Sequence, residues 1–430
     1  MRLREQIEAI QNGLYDSSFG HLYGEAHVLE NRRRYLAALE NYQHYFQDDE
    51  EIRLFSSPGR AEISGNHTDH QHGRVICASV DMDIVSIVRK NPDYCIHLKS
   101  EAYDKLDRID LHSLELQKGE REHSAALLRG VAAGFAQRNY KIGGYDSYTI
   151  SNVPSGSGIS SSAAFELLNI AVLDSLYNEA TMPAIERAKI GQFAENEYFG
   201  KPSGLLDQCG SAIGRIFSLD FKDFSDPKPD VLDLNFEDFG HALVLTKTNS
   251  SHADLTDEYA AVPREMREVA NYFGKSVLRD VDEEEFYSHL AALEQKVSDR
   301  AILRAMHFFT ENQRVQEQIE ALKRGDFATF LAGVRASGLS SWTLLQNIYV
   351  SSRPHEQTLA LALAYAAKLL GKSGACRVHG GGFSGTILSF VPLDKVTQYI
   401  EAMDAYIGHG SSSVIRIRPC GACEVLPNRA

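Results

Sequence analysis

The chain has 430 residues, with 44 Lys and Arg against 58 Asp and Glu, and a formal charge of -14 at pH 7. That length exceeds what one hydrophobic core usually serves and predicts two lobes with a cleft between them. The acidic balance argues against nucleic acid or an anionic membrane surface and favours a small-molecule partner.

Met1-Arg2-Leu3-Arg4-Glu5-Gln6 carries no apolar leader segment. The longest apolar stretch, Leu359 to Leu370, is interrupted by Lys368, so a buried helix in a cytoplasmic protein is expected there, not a membrane span. Residues 1–50 read as a helical N-terminal extension broken at Asp16-Ser17-Ser18-Phe19-Gly20, with Arg32-Arg33-Arg34 forming a solvated helix face. Ser57 to Gly73 then sets Arg60, Glu62, Asn66, His67, Thr68, Asp69, His70, Gln71 and His72 among three glycines. Such a density of hydrogen-bonding side chains suits a cleft that tells a polyhydroxylated ligand from its epimer, where each mispaired hydroxyl costs about 1–3 kcal/mol. A structural or surface role is the alternative for any single histidine. Val75 to Val88 alternates as a strand.

Tyr145 to Val153 also has strand periodicity. Pro154-Ser155-Gly156-Ser157-Gly158-Ile159-Ser160-Ser161-Ser162 follows, and then a helix in which Ala164, Leu167, Leu168, Ala171, Val172 and Leu176 predict one buried face. Strand, loop and helix start together suit an anion cradle. Gly156 and Gly158 let successive amides turn toward a phosphate, the helix end adds its positive dipole, and the serine hydroxyls can reach phosphate or magnesium. A flexible Gly/Ser turn with a serine cap is the plainer alternative. A Walker loop is excluded, because Val269 and Ala366 stand where Gly274-Lys275-Ser276 and Gly371-Lys372-Ser373 need a preceding glycine. A dinucleotide fingerprint fits poorly, since Ser161 occupies its third glycine.

Ala194 to Gln208 ends a helix, turns through Gly200 to Gly204 and offers two carboxylates, Glu195 and Asp207, with a metal-binding and a substrate-facing role both open to them. A helix-capping role for Asp207 is the alternative. Asp223 to Phe239 is the expected crossing between lobes. Residues 261–336 read as helices with a turn at Arg324-Gly325-Asp326, and Gly380 to Gly385 reads as a tight loop. The six cysteines suggest no disulfide framework. Cys420 and Cys423 have the spacing of half a zinc site or a redox pair, with no second pair beside them.

Together these stretches resemble the GHMP small-molecule kinases and, within them, the galactokinase family, over nearly the whole chain. Gly59 to Gly73 resembles the signature Gly-Arg-x-Asn-x-x-Gly-Glu-His-Thr-Asp-Tyr-x-x-Gly. Pro154 to Ala163 is similar to Pro-x-Gly-x-Gly-Leu-Ser-Ser-Ser-Ala, and Arg377 to Gly385 to the glycine-rich third motif. Thr246 to Tyr259 is similar to a sugar-side segment. The resemblance implies an α+β, two-lobed GHMP kinase fold. Its N-terminal lobe is like ribosomal S5 domain 2, its C-terminal lobe is ferredoxin-like, and the active site lies between them. The expected division is an extension over residues 1–50, an N-terminal lobe over 51–238 and a C-terminal lobe over 239–430. The resemblance also implies ATP as co-substrate, lying over Gly156, Ser157, Gly158, Ile159, Ser160, Ser161 and Ser162, with Mg²⁺ on Ser160 and Glu195. Asp207 and Arg60 are the implied catalytic residues; Asn66, His67, Asp69, Gly204 and Tyr259 are the implied sugar contacts. The expected partners are a monosaccharide and ATP, with the chain acting as a monomer or homodimer.

Three departures bear on the substrate. Asn66 stands where the family has a sugar-contacting glutamate, His70 replaces a tyrosine, and Glu62 replaces the asparagine of Gly-Arg-x-Asn. The C6 side of the pocket is therefore expected to have lost one negative charge. A carboxylate there would repel a uronic acid by about 4 kcal/mol at about 4 Å and an effective dielectric near 20, whereas an amide can donate to it. Asp69-His70-Gln71 also resembles the Asp-His-Gln of plant galacturonate kinases. The expected function is an ATP-dependent sugar 1-kinase acting on D-galactose, with galacturonate or another galactose-configured sugar as the alternative. Leu339 to Val350 departs from the family's acidic sequence and leaves that wall of the pocket open. A sugar- and ATP-binding sensor without turnover is the remaining alternative, opposed by the presence of Asp207, Arg60, Glu195 and the full run from Ser160 to Ala164.

Overall fold

Three helices, α1 (Leu3–Gln11), α2 (Asp16–Tyr23) and α3 (Val28–Phe46), precede the first strand in the computed structural model, which describes residues 1–154, 158–248 and 255–428. Asp16 to Gly20, expected to break these helices, instead begins α2. Phe19, Leu22 and Tyr23 are buried, and the chain turns at Gly13 and Gly24, both at positive φ. Nor is the arginine run wholly solvated: Arg33 is exposed, but Arg32 pairs with Asp16, and Arg34 donates to buried Asp83 at 2.6 Å.

A long antiparallel hairpin, β1 (Arg53–Ser64) and β2 (Arg74–Lys90), leads into β3 (Cys95–Ser100), β4 (Leu106–Asp110), α4 (Ser124–Gln137) and β5 (Tyr145–Ser151). Next come α5 (Ser161–Tyr177), α6 (Ala184–Phe193) with a π-helical turn over Ala194–Phe199, α7 (Leu206–Ile213), β6 (Ile216–Asp220) and β7 (Asp230–Leu232). The chain then reaches β8 (His241–Lys247), α8 (Thr256–Tyr272), α9 (Glu283–Ser288), α10 (Leu290–Leu293), α11 (Asp299–Lys323) and α12 (Phe327–Ser340). A π-helical turn over Ser341–Leu345, α13 (Thr358–Leu370), β9 (Ala375–His379), β10 (Thr386–Pro392), α14 (Val396–Ile407), β11 (Ser412–Ile415) and β12 (Cys423–Val425) complete it.

The strands form two sheets. The larger runs β12-β1-β2-β5-β3-β4, with β6 on the first part of β2 and β7 beyond it; its pairings are antiparallel except β3 with β5. The smaller, β11-β8-β10-β9, is antiparallel throughout. Helices α1 to α3 cover one face of the large sheet, burying Leu54, Val85, Ile87, Tyr148 and Ile150. Helices α4 to α7 cover the other, where Phe55, Ile84 and Val88 point. Helix α5 was expected to bury one face; it is buried nearly all round from Ala163 to Asp174, because α4, α6, α7 and β1 enclose it.

The chain passes to the small sheet within residues 223 to 239 and later returns, as β12 pairs with β1. Where α3, β2 and this returning segment meet, Asp83 is fully buried among Tyr23, Arg34, Ser56 and Arg418. Helices α11 and α12 meet at the turn expected over residues 324 to 326, and α13 lays Leu359, Leu363 and Ala366 on the small sheet while Lys368 stays exposed. Among the described residues no helix is long and apolar enough to cross a membrane. All six cysteines are unpaired, with the Cys420 and Cys423 sulfurs 3.7 Å apart.

Candidate active site

A cavity of about 420 Å³, the size of a small-ligand site, opens where β1, the start of α5, the turn before α7 and the β9–β10 loop converge. Arg60, Asn66, His67, Asp69, Gly158, Ser160, Ser161, Ser162, Gly204, Asp207 and Tyr259 all line it, so most of the site residues expected from sequence come together. Two do not line it. Ile159 is buried, with its carbonyl accepting from the Arg60 amide, and Glu195 is buried behind Ser162. Gly156 and Ser157 lie outside the described residues.

Strand β1 puts Arg60 and Glu62 on one face, because strand side chains alternate. Arg60 donates from Nε and Nη2 to Asp207 Oδ1 at 2.9 and 2.7 Å, and from Nη1 to the Gly158 carbonyl. One side chain thus joins the Asp207 carboxylate to the glycine loop. Gly59 permits this approach: a Cβ there would lie 2.1 Å from Ile159 Cγ2. Asp207 sits in the first turn of α7, one residue inside its start, rather than at the cap. Burial raises its pKa, but Arg60, Lys201 and a hydrogen bond with Ser160 outweigh that and hold the carboxyl below its usual range.

The serines of this loop have different partners. Ser160, at φ +62, is the N-cap of α5 and its hydroxyl helps to hold the Asp207 pKa down, whereas the Ser162 hydroxyl donates to Glu195 at 2.9 Å. Glu195 also receives Lys201 Nζ at 3.0 Å and Gln208 Nε2 at 2.8 Å. Gln208 reaches Glu166 as well, whose carboxyl burial and neighbouring Glu195 push well above its usual range. Lys201, Gln208 and Glu166 were not singled out from sequence, although Glu166 stands one helical turn after Ser162. Among the described residues no group of three His, Cys, Asp or Glu forms a metal cage. The oxygen pair Ser162 and Glu195 nevertheless suits a hard cation that keeps phosphate and water as its remaining ligands.

At the other end of the cavity Asp69 is pushed up to about 6, first by burial and then by the charge of Asp207. Gly204 is required beside it, since a Cβ would lie 1.8 Å from Asp69 Oδ2. His67 Nε2 is 3.0 Å from the Gly381 carbonyl, and the Tyr259 hydroxyl donates to the Gly382 carbonyl at 2.9 Å. His70 Nε2 is buried with no hydrogen-bond partner among the described residues. Burial lowers the pKa of both histidines. The expected loss of a negative charge here does not occur: Glu62 lines the cavity with Oε1 2.7 Å from Asn66 Nδ2 and 3.0 Å from Arg377 Nη2.

Two family models match the chain: "GHMP kinases N terminal domain" over residues 126–215 and "Galactokinase galactose-binding signature" over residues 40–90. Among curated proteins, a galactokinase of Actinobacillus pleuropneumoniae is 32% identical over 346 residues, 79% of this chain and 85% of that protein. One from Lactococcus lactis is 29% identical over 382 residues, 87% of this chain and 92% of that protein. Among solved structures, Lactococcus lactis galactokinase complexed with galactose superposes with a TM-score of 0.79 at 27% identity, covering 90% of this chain and 99% of that one. A mevalonate kinase, at 15% identity and a TM-score of 0.60 over 85% of this chain and 98% of its own, shares the fold.

Proposed function

The chain belongs to the galactokinase family, and from that premise we propose that it transfers the γ-phosphoryl group of ATP to the C1 hydroxyl of D-galactose. The observation that carries this is the Asp207 carboxylate, held by Arg60 beside Ser160 at the start of α5 and bordering the cavity. A C1 hydroxyl placed against Asp207 finds a hydrogen-bond acceptor that is ionised at neutral pH. Because Asp207 is a weaker base than an ordinary carboxylate, it orients the hydroxyl oxygen and takes its proton late, as phosphoryl transfer proceeds. Arg60, Lys201 and the N-terminus of α5 supply positive potential where charge develops on the transferred group. Ser162 and Glu195 would hold Mg²⁺, which when bound neutralises the triphosphate. Asp69, His67 and Tyr259 line the sugar end. ATP as co-substrate and six unpaired thiols suit the cytoplasm.

ADP release with Mg-ATP, measured with galactose, glucose, arabinose, N-acetylgalactosamine and no sugar, tests this function. Galactose-dependent release is expected. Tight binding of sugar and ATP without release would instead identify a sensor, and the absence of both binding and release would overturn the proposal.

A further inference from the structure

We propose that Glu62, rather than Asn66, selects the substrate at the edge of the sugar remote from C1, and that it favours a neutral galactose-configured sugar over a uronic acid; this rests on the sugar kinase function above. Asn66 has no hydrogen-bonding capacity left. Its Nδ2 donates to Glu62 Oε1 at 2.7 Å and to the Gly380 carbonyl at 2.8 Å. Its Oδ1 accepts from Asn347 Nδ2 at 2.8 Å and from the Ser341 hydroxyl at 3.3 Å. Two acceptors on one side and two donors on the other dictate which way the amide faces. With 1% of its surface exposed, Asn66 could donate to a ligand only by breaking a protein hydrogen bond.

Glu62 is in the opposite condition. Oε1 accepts from Asn66 and from Arg377 Nη2, but no donor among the described residues hydrogen-bonds Oε2, and the residue lines the cavity. An open carboxylate oxygen bordering the cavity can accept from a ligand hydroxyl. Its position fits that task. The β1 register is unbroken here, with Arg60, Ala61 and Glu62 opposite Ser79, Ala78 and Cys77. Arg60 and Glu62 are therefore same-face neighbours about 7 Å apart. Arg60 holds Asp207 at the phosphoryl-transfer end, so Glu62 stands about one pyranose ring farther in. The Glu62 amide also donates to His379 Nε2 at 3.0 Å, which fixes this stretch of β1 against the small sheet.

Set beside Gly-Arg-x-Asn-x-x-Gly-Glu, the asparagine and glutamate have exchanged places and are bonded to each other. The charge has moved from the turn to the strand, where Arg377 pairs with it. A hydroxymethyl group meets this carboxylate as an acceptor, whereas a uronate meets it as a like charge.

The test is steady-state ADP release with D-galactose, D-galacturonate and 6-deoxy-D-galactose, for the full-length wild type, Glu62→Gln, Asn66→Glu, Glu62→Asn and the reciprocal double variant Glu62→Asn/Asn66→Glu. Wild type is expected to favour galactose in kcat/KM by about 100-fold over galacturonate and by about 10-fold over the deoxy sugar. Glu62→Gln is expected to raise the galactose KM about 10-fold with kcat within about threefold, and to narrow the galactose-to-galacturonate ratio about 10-fold. The double variant is expected to recover a galactose KM within about threefold of wild type, which neither Glu62→Asn nor Asn66→Glu reaches alone. Because Glu62→Gln leaves Arg377 buried without its counter-ion, the three-sugar comparison on wild type serves as a measurement independent of any variant's stability. Wild-type preference for galacturonate, or an unchanged sugar ratio in a folded Glu62→Gln, overturns the assignment while leaving the kinase function standing. Absence of turnover and of sugar binding across the panel overturns both.

Discussion

Asp83 on β2 and Asp207 on α7 are both carboxylates paired with arginine in the interior, yet their oxygens are occupied differently. Asp83 is fully buried: Oδ1 accepts from Arg34, and Oδ2 from Tyr23, Ser56 and Arg418. Both guanidinium bonds to Asp207 fall on Oδ1, and the residue borders the cavity with 23% of its side chain exposed. In both, burial raises the pKa and arginine more than reverses it, so the sign of the shift does not separate them. What separates them is an oxygen left facing a cavity. Asp83 ties α2, α3, the large sheet and the returning C-terminal segment together, whereas Asp207 presents charge to a ligand. Glu62, with Oε1 used and Oε2 open, belongs with Asp207.

The largest effect that could break this contrast is on turnover. Asp207→Asn is expected to lower kcat about 1,000-fold or more with galactose binding close to wild type, and to lose stability through the unpaired Arg60, but less than Asp83→Asn because this carboxylate borders the cavity; near-normal turnover would remove Asp207 from the mechanism. Asp83→Asn is expected to act mainly on stability. It should cost about 3–5 kcal/mol in urea unfolding, because Arg418 and Arg34 lose their counter-charge, with kcat of the folded fraction unchanged. Equal losses of activity and stability in both variants would erase the distinction. Gly204→Ala should raise the galactose KM about 10-fold, since the new methyl group must displace the Asp69 carboxylate, and a KM within twofold would mean that Asp69 does not meet the sugar.

The smallest effect lies in pH. Asp69 has a folded pKa of about 6 against an ordinary 3.8, so the folded state holds its proton more tightly than the unfolded chain does. The stability contributed by this group is fully present below about pH 4 and is lost as pH rises through about 6. Asp69→Asn should therefore melt higher than wild type at about pH 7.5 and alike at about pH 4. In wild type, kcat/KM for galactose should fall below about pH 6 as the carboxylate protonates, and Asp69→Asn should lack that limb.

Much of the site was legible because its motifs are local. Strand, glycine-serine loop and helix follow one another within a few residues, and the fold keeps that order from β5 to α5. Gly59 and Gly204 stood out in the sequence, and the structure supplies their reason in close approaches that no side chain tolerates. The N-terminal segment was harder to read. Its helices were evident, but the break at Asp16 to Gly20 was not real, because burial of Phe19 against the sheet helices outweighs a polar, glycine-containing composition.

The sequence by itself determined the two-lobed α+β class, the family motifs and most of the residues that line the cavity, since each of these depends on residue identity at short range. The tertiary structure alone decided which serine meets Glu195, that Asn66 is saturated, and that Glu62 keeps the negative charge in the pocket. Those outcomes depend on partners 33, 281 and 315 positions apart along the chain, for Ser162 with Glu195, Asn66 with Asn347, and Glu62 with Arg377. Hydrogen-bond valence is counted only after packing has chosen the neighbours, and residue spacing carries no record of that choice.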